Sequence, residues 1–151
     1  MAKHELITEI YLKPRPKLKP QFFRKSQRVK AIDEYDFYKR RIREEVQVSG
    51  LNLLEERTLK VVFHFRIPAS YSIERKERML NSLHIDSPNL GDLIEAVTDA
   101  LFNDMGVNNL HTIIARKIWS EYNKIVIYRD ENFQLNKKKE IDYNKKYFDL
   151  I

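Results

Sequence analysis

The sharpest pattern along the chain is a strict alternation in "TLKVVFHFRIP". Leu59, Val61, Phe63, Phe65 and Ile67 fall on one face, and Pro68 ends the run. This predicts a strand with a buried face and a second face carrying Lys60, His64 and Arg66. Residues 5–12, "ELITEIYL", alternate in the same way and predict an earlier strand, which "KPRPKLKP" cannot continue because proline removes amide donors. From Asp33, a candidate N-cap, Tyr35, Tyr38, Ile42 and Val46 recur at helical spacing and predict a first helix. "SYSIERKERMLNSLHIDS" predicts a short helix over Ile73, Leu80 and Leu83. In "SPNLGDLIEAVTDALF" a helix follows a turn, with Leu93, Val97, Ala100 and Leu101 as its dry stripe. "LHTIIARKIWSEYNKIVIYRDE" reads as two strands around the polar break Ser120 to Asn123, an antiparallel hairpin. The expected architecture is α+β: a two-layer domain with a mixed or antiparallel four-stranded sheet and helices on one side.

The length of 151 residues suits one core, so residues 1–151 are expected to form a single domain. Residues 130–151 are expected to be a polar C-terminal tail. Without cysteine, disulfides and thiolate metal sites are excluded. The charged start "MAKHELITEI" lacks the apolar run of a signal peptide, and no stretch reaches the ~20 apolar residues that span a bilayer, so a cytoplasmic protein is expected.

Charge changes the picture through its placement. Residues 11–30 hold eight Lys or Arg and no Asp or Glu, whereas residues 31–151 are nearly balanced. This basic, Pro-rich loop interleaves Lys13, Arg15, Lys17, Lys19, Arg24, Lys25 and Arg28 with Phe22 and Phe23. Cations beside flat aromatic faces suit phosphate neutralisation with base stacking. A solvated arm, or one that docks on an acidic protein, fits the same composition.

Three motifs then line up in order: "KPRPKLKPQFFRKSQR", "VVFHFRIPASYSIERKERML" and "SPNLGDLIEAVTDAL", followed by "VNNLHTIIARKIW". Over roughly residues 6–129 this order resembles the RusA-type Holliday junction resolvases, small and often phage-encoded endonucleases of DNA recombination and repair. The resemblance implies a RusA-like fold, a homodimer and a branched-DNA substrate. It also implies divalent metal held by two aspartates spaced by one residue and by a later Asp-Asp pair, with a lysine one turn along the helix. Here those positions are Asn89 and Gly91, Asn108 and Asn109, and Glu95. Asn lacks the carboxylate charge that Mg²⁺ needs, and Glu95 repels phosphate. The expectation is a catalytically inactive relative, with no cofactor, that binds branched DNA without cutting it.

Two alternatives stand beside it. A phage or mobile-element regulator or inhibitor would use the same fold to bind another protein. An active Mg²⁺-dependent nuclease would need relocated carboxylates, for which Asp92, Glu95 and Asp99 share a helical face with Asp86 and Asp104 near its ends. A solvated acidic face explains that stripe equally, and His64, His84 and His111 have no metal-ligand spacing.

Overall fold

A computed structural model describes residues 7–19, 25–50, 57–102 and 110–128. Phe22, Phe23, Arg24, Asp104, Asn108, Asn109 and the tail over 130–151 lie outside the described residues. Four strands, β1 (Ile7–Ile10), β2 (Thr58–Arg66), β3 (Thr112–Ser120) and β4 (Lys124–Tyr128), form one sheet in the order β1-β4-β2-β3. Among the described residues three helices accompany them: α1 (Lys25–Ser49), α2 (Ile73–Met79) and α3 (Leu90–Phe102). The class is α+β, and the sheet is mixed: β2 runs parallel to β3 and antiparallel to β4.

The alternation in β2 dictates the layers. Leu59, Val61, Phe63 and Phe65 are buried in one core with Ile125 and Ile127 of β4 and Ile10 of β1. Tyr35, Tyr38, Ile42 and Val46 of α1 and Leu93, Ala96, Val97 and Ala100 of α3 join the same core, so both helices cover the same face. Leu101 is half-buried at its margin, and Phe102 completes the α3 stripe.

Helix α1 begins eight residues before the expected start. Asp33 lies inside it rather than capping it, and residues 25–30 of the expected basic loop are its first turns. "KSQRVKAI" contains neither Gly nor Pro and is dominated by residues that tolerate a helix, so nothing local stops α1 before Lys25. It ends at Gly50, whose φ of 80° supplies the left-handed residue common after a helix.

The expected hairpin does not form. Strands β3 and β4 both pair with β2, which lies between them, and residues 121–123 cross over its end. The gap across β2 is about 10 Å, twice the inter-strand spacing, and three residues can span it. The amide of Ile67 donates to the carbonyl of Ser120 (3.0 Å), and that of Arg66 to Asn123 Oδ1 (2.8 Å), closing the crossing. A short polar break tells the chain to turn. It does not say whether the next strand pairs beside the last or one place further on.

The segment after β2 also departs from expectation. Helix α2 is capped by Ser72, whose hydroxyl accepts from the Arg75 amide, and it buries none of its residues. Leu80 and Leu83 lie beyond it. Residues 81–84 run along the outer edge of β3 instead, through backbone bonds joining Asn81 and Ser82 to Trp119, and His84 to Lys117.

Phe63 is fully buried at the centre of this arrangement, between Lys117 of β3 and Ile125 of β4 in register. Phe63→Ala should lower unfolding free energy by about 3–5 kcal/mol in urea denaturation. The exposed Ile73→Ala in α2 should change it by less than about 0.5 kcal/mol.

Candidate functional site at the start of α3

The Asn-Leu-Gly start of α3 has a local mechanical purpose. Asn89 Oδ1 accepts a hydrogen bond from the Gly91 amide (2.7 Å) and the Asn89 carbonyl accepts from Leu93 (3.1 Å), the geometry of an N-cap. A Cβ on residue 91 would sit 3.1 Å from that capping oxygen, so glycine relieves the turn. Of the five positions where the resemblance implies catalytic groups, Asn89 and Gly91 are thus tied to each other. Glu95 is exposed one turn on, and Asn108 and Asn109 are not described.

The basic segment is laid across this helix start. Pro14 is buried, Leu12 and Leu18 pack on the core, and the Lys17 amide donates to the Asp92 carbonyl (2.9 Å). The Arg15 amide donates to the Tyr38 hydroxyl (3.0 Å). Burial pushes the Tyr38 phenol well above its ordinary range, so it stays protonated. The four cations of this stretch, expected as free phosphate ligands, divide into two kinds. Lys19 Nζ pairs with Asp92 (3.1 Å), Lys17 Nζ lies 3.9 Å from Asp99, and Arg15 pairs with Glu34 (3.3 Å). Lys13 is exposed with no partner among the described residues, as is Arg28 on α1; Lys25 opens α1.

The acidic stripe is therefore neither a bare solvated face nor an assembled metal site. Asp99 accepts a hydrogen bond from the Tyr35 hydroxyl (3.1 Å) as well as facing Lys17, and Asp92 faces Lys19. Burial first, then the Asp99 charge, pushes the Tyr35 phenol far up, which keeps it a donor. Among the described residues no three acidic or histidine side chains gather in a metal-binding group. Lys19 and Lys17 stand beside the Asp92 and Asp99 carboxylates. Such half-exposed pairs contribute only about 0–1 kcal/mol each. They neutralise charge without locking the segment, which is held by its backbone bonds and buried proline.

Beyond Asp86 the loop into α3 is pinned from the sheet. Lys117 Nζ donates to the carbonyls of Asp86 and Pro88 (2.7 Å to the latter), and the Ser87-Pro88 peptide is cis. Sequence reasoning missed this role, because Lys117 looked like one charge in a strand. Its place on the helix-covered face, in register with Phe63, was the available signal.

The histidines differ from one another. His111 is exposed and bonds Thr112. His64 lies on the sheet face away from α1 and α3, and both its ring nitrogens are buried without a partner. His84 is stacked between Phe65 and Trp119, with ring centroids 4.3 and 4.2 Å away. Burial lowers both imidazoles below their ordinary 6.5, helped by Lys124 at His64 and by Lys117 at His84. No helix among the described residues is long and apolar enough to cross a membrane. Comparison with protein-family models, with curated proteins and with solved structures gives no match for this chain.

Two outcomes follow from this geometry. Asn89→Ala should cost about 1 kcal/mol through loss of the cap, whereas Asn89→Asp, which restores an acceptor and adds charge at the positive helix end, should cost nothing; urea denaturation distinguishes them. For the histidines, the folded state binds protons less readily than the unfolded chain. Stability is therefore fully present above pH 6.5 and declines as pH falls below it. Melting temperature should fall as pH is lowered below 6.5. The drop should be shallower in His84→Phe, which keeps a flat ring in the stack and removes its proton site.

Proposed function

We propose that this chain is a non-cleaving relative of the RusA-type resolvases that binds branched or otherwise structured DNA. The observation that carries this reading is the position of the basic segment. Its backbone is fixed across the start of α3, and its cations stand beside the positions at which the resemblance implies a scissile phosphate. In this reading Lys13, Arg15, Lys17, Lys19, Arg24, Lys25 and Arg28 neutralise phosphates, and Phe22 or Phe23 stacks at an unpaired position. The pairs of Lys17 and Lys19 are weak enough to be exchanged for phosphate, because a charge-assisted contact to a phosphate gains more than a half-exposed ion pair loses. Homodimerisation would match the two-fold symmetry of a four-way junction.

The lack of cutting is supported by chemistry. Two-metal or one-metal phosphodiester hydrolysis needs carboxylates to hold the cation that activates water. Asn89 spends its oxygen on a backbone amide, Gly91 has no side chain, and Asp92 and Asp99 face lysines. The same lysine pairing favours a second reading, a protein-binding regulator, since a mixed-charge surface with Glu95 exposed suits a protein partner. A stoichiometric partner recovered by pull-down after nuclease treatment would favour it.

Fluorescence anisotropy with labelled four-way junction and duplex of equal length tests the main reading. The junction should bind more tightly, and affinity should fall linearly in log-log salt plots, with the slope reduced by about 1 in Lys13→Gln or Arg28→Gln. Incubation with Mg²⁺ or Mn²⁺ should leave the junction intact. Equal affinity for duplex removes the junction part, and no binding at low salt removes the whole proposal.

A further inference from the structure

At the C-terminal ends of β2 and β3 lies an open surface hollow of about 390 Å³, lined by Phe65, His84, Trp119 and Pro88, with Lys13 and Arg66 at its sides. The volume lies within the range of about 300–1,000 Å³ typical of small-molecule sites. Three properties come together in this hollow. On one side lies Trp119, partly exposed and backed by the buried rings of His84 and Phe65, which the parallel register and the edge segment 81–84 bring against it. The lining also carries two exposed cations, Lys13 and Arg66, whose charged groups have no partner among the described residues, in contrast to Lys17 and Lys19. Finally, the wall is stiff: Trp119 is bonded to residues 81–82 through its own amide and carbonyl, and Lys117 holds the loop at Pro88.

The exposed part of the Trp119 indole suits a planar ring, and free cations suit an anion. A guest with only one of these features would leave the other half of the site unused. His84 strengthens the case in its own way. Its ring is nine-tenths buried and Nδ1 has no hydrogen-bond partner, so it backs the Trp119 ring and holds it in place rather than meeting the guest itself. A nucleotide joins a planar base and a phosphate within one small unit. It also unstacks most cheaply where a duplex is interrupted, at a cost of a few kcal/mol that stacking on aromatic side chains offsets.

We infer that this cavity takes one unstacked nucleotide, its base against the Trp119 wall and its phosphate drawn by Lys13 and Arg66. The inference deepens the proposed DNA binding and rests on it for the source of the nucleotide. It adds to Phe22 and Phe23 a second point of base capture, at the ends of β2 and β3. Arg66 belongs to the site although it lies outside the basic segment altogether.

Trp119 is the only tryptophan in the chain, so its emission reports on the cavity directly. The full-length protein should be titrated with deoxyadenosine monophosphate, with deoxyadenosine and with inorganic phosphate. The expected result is a saturable change with the monophosphate, a weaker one with the nucleoside and none with phosphate. Arg66→Gln and Lys13→Gln alter exposed side chains and should fold normally, and each should weaken the monophosphate by about tenfold. No response at millimolar monophosphate, in protein that still binds a four-way junction, overturns the pocket and leaves the DNA reading standing. A response shared equally by phosphate, or unchanged in both variants, overturns it as well. Saturable, variant-sensitive nucleotide binding in protein that fails to bind DNA keeps the pocket and removes the DNA reading.

Discussion

The rest of the structure depends on β2 being hydrogen-bonded along both edges. Every buried amide and carbonyl needs a partner, and a strand as apolar as β2 meets that need only in the interior of a sheet. Taking β3 on one side and β4 on the other fixes the crossing over residues 121–123. It also places Val61 between Ala115 and Ile127, and Phe63 between Lys117 and Ile125. From that register come the face onto which α1 and α3 pack, the anchoring of the loop before α3 by Lys117, and the proximity of Phe65 to Trp119.

Charge in this protein is organised by folding as much as by composition. The sequence separates into a basic stretch and an acidic helix stripe, and the fold lays one over the other. Lys17 and Lys19 meet Asp99 and Asp92, while Arg15 meets Glu34 of α1. Little stability comes from these exposed pairs. Their effect is to flatten the local field, so the unopposed positive potential shifts toward Lys13, Arg28 and Arg66. A surface described by its net charge would be misjudged here, since a polyanion meets the unpaired cations directly and the paired ones only by displacing a carboxylate.

Much of this was legible in the chain. The alternation of Leu59 through Ile67, the helical spacing from Tyr35 to Val46 and the stripe of α3 each identify a real element with the correct buried face. What was not legible has physical causes. Strand pairing across a short break depends on which neighbour completes β2, a non-local question that Ser120 to Asn123 cannot answer. The start of α1 was hidden because charge was read as a sign of loop, although Lys and Arg are good helix formers. At the candidate site, Asn89 and Gly91 were read against the metal chemistry they lack, whereas their contact with each other, a cap and the glycine that makes room for it, is a local fact that the spacing already contained. The pairing of acids and lysines required the tertiary fold, and so did the meeting of Phe65, His84 and Trp119, which come from three separate segments.

The way β1 and the proline-rich segment are held also bears on the order of assembly. Among the described residues strand β1 pairs with residues 125–128 alone, and the segment after it is fastened to Tyr38 and to the carbonyl of Asp92. These contacts close long loops, and loop closure is an entropic cost met before any contact forms. On a ribosome the first strand therefore waits, with its edge unpaired, until nearly all of the described chain has emerged.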